Sequence, residues 1–121
     1  MRTRGAAGAG QVRRETLLWI AQRASAAVLA LCVVVHLATL IYAVRGGLSA
    51  AEILGRTRGS FGWLAFYSLF VLAVTVHAPI GLRAPLAEWF GWRGRPRDAA
   101  LLVFAMLLAW LGMRAVFAVF A

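Results

Sequence analysis

Three long runs of apolar side chains dominate the chain and predict its fold. They cover roughly residues 16–44, 61–82 and 99–120. Each run reaches the ~20 residues that a helix rising 1.5 Å per residue needs to cross about 30 Å of hydrocarbon. Backbone groups find no water inside a bilayer, so we expect every run to be an α-helix. The pattern therefore predicts an all-α fold, an integral membrane three-helix bundle.

The segments outside these runs complete the predicted organisation. Residues 1–15 are rich in Gly, Ala and Arg and lack apolar periodicity, and we expect them to form a disordered basic tail. Residues 16–121 form the three-helix transmembrane domain. The pair Gly46-Gly47 ends the first helix, and residues 48–54 predict a short amphipathic helix at the membrane interface.

The arginines predict the orientation of the chain. Hydrophobic residues make up 63% of the sequence, against about 45 to 50% in soluble domains, and the net charge is +9 without a single lysine. The larger group of arginines belongs to the N-terminal side of the first span or to the connection between the second and third: Arg2, Arg4, Arg13, Arg14, Arg23, Arg83, Arg93, Arg95 and Arg97. The positive-inside rule then places the N-terminus in the cytoplasm and the C-terminus outside. Because the arginines flank apolar runs, they favour a lipid bilayer and not nucleic acid as the partner.

Ionisable residues within membrane spans mark candidate functional sites, because they are costly to bury in lipid. His77 has Ala73 four residues before it and Gly81 four residues after it, on one helical face. Small residues above and below a histidine leave a flat slot in which a haem ring could lie against the helix. The alternative is a histidine that only hydrogen-bonds a neighbouring helix.

The depth of His36 and Arg23 in the membrane suggests two further candidate sites. His36 lies 13 residues beyond Arg23, about 20 Å along the axis, and therefore nearer the outer face than His77. The two histidines should not bind one iron, and His36 either packs or serves a second haem. Arg23 and Ser25 could hydrogen-bond a quinone carbonyl, although Arg23 could equally reach lipid headgroups, as we expect of Arg114.

Two motifs resemble the cytochrome b membrane subunit of succinate dehydrogenase, respiratory complex II, or of fumarate reductase. The sequence Gln22-Arg23-Ala24-Ser25-Ala26 is similar to the family's His-Arg-x-Ser-Gly motif, but has Gln22 in place of histidine and Ala26 in place of glycine. The sequence from His77 to Arg83, HAPIGLR, is similar to its His-x-x-x-Gly-Ile/Leu-Arg motif. The resemblance covers roughly residues 15–120.

The resemblance implies a haem b-binding membrane anchor that takes part in electron transport to a quinone. It implies that His77 is an axial haem ligand, that Arg83 lies near the propionates, and that Arg23 and Ser25 line the quinone site. Two-haem relatives carry a first-helix histidine, which makes His36 a candidate ligand of a second haem. The implied partners are a flavoprotein subunit, an iron-sulfur subunit and a second membrane-anchor subunit. The implied location is the bacterial inner membrane, which the chain crosses several times.

Other functions remain open at this point. The chain could be the anchor of fumarate reductase or of another b-type cytochrome, or a haem-free small membrane protein in which both histidines pack. It carries no flavin or iron-sulfur motif, so we do not expect dicarboxylate chemistry within the chain itself.

Overall fold

The computed structural model describes residues 2–121, with side chains described from Gly5 onwards. It contains helices α1 (Arg2–Arg45), α2 (Ala50–Thr57), α3 (Phe61–Phe90) and α4 (Arg95–Phe120), and no strand in this part of the chain. Helices α1, α3 and α4 are long and apolar enough to cross a membrane. Helix α3 packs against both α1 and α4. The predicted all-α fold with three membrane-spanning helices is confirmed.

The helix ends differ from those that hydropathy predicts. Helix α1 begins at Arg2, where we expected a disordered tail over residues 1–15, and Met1 lies outside the described residues. Elongating an existing helix adds one hydrogen bond for each residue fixed, so a helix can extend beyond the apolar run that stabilises it. Its 44 residues span about 66 Å, twice the thickness of the hydrocarbon core.

Helices α3 and α4 also extend beyond their apolar runs. Helix α3 continues past Pro79 and Pro85 to Phe90, where Gly91 ends it in the left-handed conformation at φ 62°. Helix α4 starts at Arg95, four residues before the predicted span, with a proline in its first turn. Hydropathy locates the segment within lipid, whereas caps and glycines determine where a helix stops.

The short helix α2 closes one end of the bundle, which we call the Thr57 end. Ser49 and Glu52 form a capping box at its start, which supplies acceptors for backbone N–H groups that have no partner within the helix. The hydroxyl of Thr57, which is buried, donates a hydrogen bond to the carbonyl of Val119 at 2.9 Å. The amide of Gly59 donates to the carbonyl of Phe120 at the same distance. A short helix is thus present close to the predicted residues 48–54, and it is tied to the last turn of α4.

Charged residues connect the helices at the opposite end, which we call the Asp98 end. A carboxylate oxygen of Asp98 lies 3.2 Å from the guanidinium of Arg14 in α1, and the other lies 3.4 Å from Arg97. The Arg97 guanidinium also donates to the carbonyl of Arg83 at 3.5 Å. Partial burial raises the pKa of Asp98, but the charge of Arg83 and the hydrogen bonds from Arg14 and Arg97 outweigh it, and its pKa lies below the ordinary 3.8. Asp98 precedes the apolar run of α4 and is therefore outside the segment that spans the membrane.

The interior of the bundle is small, and most large apolar side chains face outwards. From Gly5 onwards, the buried apolar residues are Cys32, Ala73, Pro79, Leu101 and Val116. Cys32 is 1% exposed, as suits a small buried hydrophobe. Leu31 and Trp110, in contrast, are more than half exposed. Such a surface requires lipid or other protein chains around it.

Helices α3 and α4 approach closely at Gly112. A Cβ atom added there would lie 2.6 Å from one γ-methyl of Val71 and 2.9 Å from the other. Small residues at helix contacts in membranes allow this kind of packing. The glycine therefore sets the separation of the two helices at this level.

We expect Gly112→Ala to destabilise the bundle by about 1 to 3 kcal/mol, because the new methyl group overpacks against Val71. The midpoint of thermal loss of helical circular dichroism in detergent should fall. Gly55→Ala is the matched control, since a Cβ there meets nothing within 4 Å, and its midpoint should hold or rise. Adding Val71→Ala to Gly112→Ala should restore part of the loss. Equal midpoints for the two single variants would contradict the proposed close contact.

Candidate functional site

The antiparallel packing of α1 against α3 brings the residues of the two sequence motifs together. Gln22 meets Gly81, and Ser25 meets His77. Further along the same pair of helices, His36 contacts the rings of Tyr67 and Phe70. The motifs are more than fifty residues apart in the chain, so only the packing of the helices makes them neighbours.

His77 is half-buried and contacts the hydroxyl of a serine on the neighbouring helix. Its Nδ1 lies 3.4 Å from the Oγ of Ser25, which is only 7% exposed. The same Oγ donates a hydrogen bond to the carbonyl of Gln22 at 3.1 Å. One imidazole nitrogen is therefore engaged within the chain, and Nε2 is the nitrogen that could bind a metal.

The small residues that flank His77 lie where predicted, but one of them receives a side chain from α1. A Cβ added at Gly81 would lie 3.1 Å from Nε2 of Gln22, and Ala73 is buried at 6% exposure. The small residues therefore allow close approach of α1, at least beside Gly81. A second side-chain atom of Gln22, Oε1, is buried and has no hydrogen-bond partner among the described residues.

The structure separates Arg23 from Ser25, although they are only two positions apart. Arg23 is exposed, and its guanidinium lies 5.1 Å from the ring centroid of Trp19, one turn earlier in α1. Ser25 instead faces α3. Arg114 in α4 makes an equivalent contact, with its guanidinium 5.1 Å from the ring of Trp110. Both arginines have the geometry of a cation over an aromatic face.

Arg83 lies in a cleft of about 560 Å³ near the Asp98 end. The residues that line it are Glu15, Leu18, Trp19, Gln22, Ile80, Arg83, Ala84 and Arg97. Sequence reasoning identified Arg83 but not Trp19, Gln22 or Arg97 as its neighbours. The spacing of Glu15, Trp19 and Gln22 on one helical face was an available signal, whereas nothing in the sequence linked Arg97 to them.

His36 lies in a different environment, nearer the Thr57 end. Its ring makes edge contacts with Tyr67 and Phe70, with centroids 6.0 Å and 5.9 Å away. Its Nδ1 is buried and lacks a hydrogen-bond partner among the described residues. The ring lines a cleft of about 360 Å³ that also includes Arg56 and Trp63. Sequence reasoning missed these neighbours, because only the fold places α2 beside His36.

The two histidines lie at different levels of the bundle. Ser25 marks the level of His77, and His36 follows Ser25 by eleven residues, about 16 Å along α1. The contacts of His36 with Tyr67 and Phe70 place it toward the start of α3, away from His77. The chain therefore does not bring both histidines to one metal. Among the described residues, no three His, Cys, Asp or Glu side chains form a metal-binding group either.

Comparison with known proteins identifies the family. The sequence model of the family described as Succinate dehydrogenase/Fumarate reductase transmembrane subunit matches residues 4–118. No curated protein and no solved structure matches the chain significantly. The match covers α1 almost completely and reaches into the last turn of α4. The chain belongs to the family of succinate dehydrogenase/fumarate reductase transmembrane subunits, and so to proteins that work beside catalytic subunits in a membrane.

Proposed function

We propose that this chain is the haem b-binding membrane anchor of a succinate dehydrogenase. In this proposal it holds the flavoprotein and iron-sulfur subunits at the cytoplasmic face and, with a second anchor subunit, helps form the site where a quinone is reduced. The N-terminus and the Asp98 end face the cytoplasm of a bacterial inner membrane. The concentration of Arg14, Arg83 and Arg97 at that end supports this orientation under the positive-inside rule.

The contact between His77 and Ser25 is the observation that carries the haem proposal. An axial ligand must present a neutral imidazole nitrogen while its other nitrogen is held by a neighbouring group. His77 meets this requirement, because Nδ1 faces the Ser25 hydroxyl at 3.4 Å and Nε2 remains for iron. The second axial ligand then comes from a partner subunit. Bound haem would supply one-electron redox chemistry between the iron-sulfur subunit and the quinone.

Arg83 is the proposed partner of the haem propionates. It follows His77 by six residues on α3, about 9 Å along the axis, and is half-buried. Its guanidinium is a fixed positive charge with several donors, which suits carboxylate recognition. The carbonyl of the same residue is held by Arg97 at 3.5 Å, which ties this turn of α3 to α4.

Arg23 and the cleft beside it are the proposed quinone-binding region. Arg23 is exposed against Trp19, and Trp19 lines the same cleft as Gln22 and Arg83. Donor groups next to an aromatic surface can hydrogen-bond the carbonyl groups of a quinone and stack against its ring. Ser25 enters this proposal through the resemblance, although its hydroxyl faces α3.

His36 is the proposed ligand of a second haem. Its buried Nδ1 has no partner among the described residues, and the residue lies at another level than His77. Unpartnered buried polar atoms are uncommon and call for an explanation such as a bound group. A second haem would need its remaining ligand from outside this chain.

We expect His77→Ala to abolish or shift the reduced haem absorbance of the purified complex, because the iron loses an axial ligand. The measurement is a reduced-minus-oxidised spectrum, normalised to the flavin content of the complex. Thr75→Ala is a control in the same helix, since its hydroxyl bonds only the Val71 carbonyl within the described residues. An unchanged spectrum in His77→Ala would remove the haem assignment and leave His77 as a packing residue.

The role of His36 can be tested by counting haem. We expect two haems per flavin in the native complex and one in His36→Ala, with the spectrum of the remaining haem unaltered. Pyridine haemochrome quantitation against covalently bound or extracted flavin measures this ratio. A ratio that is the same in both proteins would assign His36 to packing against Tyr67 and Phe70.

We expect Arg23→Gln to raise the KM for quinone roughly ten- to hundredfold, the equivalent of a lost charge-assisted hydrogen bond of about 1.5 to 3 kcal/mol. Succinate oxidation with a soluble dye that bypasses the quinone should not change. Arg114→Gln is the matched control, because Arg114 makes the same contact with a tryptophan. If both variants keep the native KM for quinone, Arg23 does not bind quinone and instead contacts the lipid headgroups.

A further inference from the structure

We propose that Ser25 is a positioning residue for His77, whose hydroxyl accepts a hydrogen bond from Nδ1–H and so leaves Nε2 free for iron. This inference rests on the proposed haem function. It differs from the role in quinone binding that the family motif implies for Ser25. The atoms involved are the serine Oγ, the carbonyl of Gln22 and the imidazole of His77.

The two hydrogen-bond contacts of the serine hydroxyl favour one tautomer of His77. A hydroxyl carries one proton, and the Oγ of Ser25 donates it to the carbonyl of Gln22 at 3.1 Å. Toward Nδ1 of His77, at 3.4 Å, the same oxygen can then only accept. The Oγ lies nearer to the carbonyl than to Nδ1, at 3.1 Å against 3.4 Å, which favours a proton on Nδ1. A neutral imidazole with its proton on Nδ1 has its lone pair on Nε2.

The packing of α1 against α3 keeps the hydroxyl beside the imidazole. Ser25 is 7% exposed, and one turn earlier Gln22 lies against Gly81, where a Cβ would come within 3.1 Å of its amide. A side chain at position 81 would displace the amide of Gln22 by a few tenths of an ångström. Ser25 faces α3, so its hydroxyl does not share the exposed face on which Arg23 lies.

A hydrogen bond at the second ring nitrogen changes the basicity of a ligating histidine as well as its orientation. When a ligating histidine donates its other N–H, its basicity rises and the ring orientation is restrained. A more basic axial ligand favours the ferric over the ferrous ion. Loss of the acceptor should therefore raise the midpoint potential of the haem and weaken its retention, with effects of about ten- to hundredfold on metal affinity.

The test compares Ser25→Ala with Ser25→Thr in the assembled complex. We expect Ser25→Ala to raise the haem midpoint potential and to lose haem faster than the native complex. Ser25→Thr keeps the hydroxyl and should restore the native potential. Ser68→Ala, a half-buried serine of α3 outside these contacts, is the matched control and should leave the potential unchanged. If Ser25→Ala does not assemble, Ser25→Cys replaces it, because a thiol is a weak acceptor of similar size.

The outcomes separate this inference from the proposed function. If His77→Ala loses the haem while Ser25→Ala keeps the native potential and retention, the role of Ser25 is overturned and the haem assignment stands. A raised quinone KM at native potential in Ser25→Ala also overturns it, in favour of the quinone role. If His77→Ala retains its haem, the proposed function fails and this inference fails with it.

Discussion

The close antiparallel packing of α1 against α3 is the constraint on which the candidate site depends. Gly81 offers no side chain, so Gln22 can lie against the backbone of α3, and Ser25 then reaches His77 one turn further along. The same register carries His36 to Tyr67 and Phe70. A shift of one turn between the helices would displace the paired residues by about 5 Å, and all of these contacts would be lost.

The bundle is anchored at its two ends by different kinds of interaction. At the Asp98 end, the carboxylate of Asp98 bridges Arg14 of α1 and Arg97 of α4. Surface ion pairs contribute little free energy individually, and this one is partly exposed. At the Thr57 end, the backbone of the last turn of α4 accepts hydrogen bonds from Thr57 and Gly59. Between these ends the helices bury few side chains, which leaves the outer surface for lipid and for the partner subunits of this family.

The proposed roles divide the chain along the membrane normal. The residues proposed for quinone and haem propionate, Arg23 and Arg83, lie toward the Asp98 end, where the catalytic subunits would dock. His77 lies deeper, and His36 is nearer the Thr57 end. Electrons that enter from the Asp98 end would meet the proposed quinone region and the His77 haem before any haem at His36.

The sequence by itself determined the number of spanning helices, because hydropathy and the length of an apolar run follow directly from composition along the chain. It also singled out His77, His36, Arg23 and Arg114, since an ionisable group within a span is costly wherever it lies, and the family resemblance added Arg83. It misjudged residues 1–15, because helix extension depends on backbone hydrogen bonds that hydropathy does not report. Only the tertiary structure decided that Ser25 turns toward His77 and Arg23 away from it, and that Asp98 meets Arg14. These pairings join residues 52 and 84 positions apart in the chain. They depend on the register in which the helices pack, which cannot be predicted from a local sequence pattern.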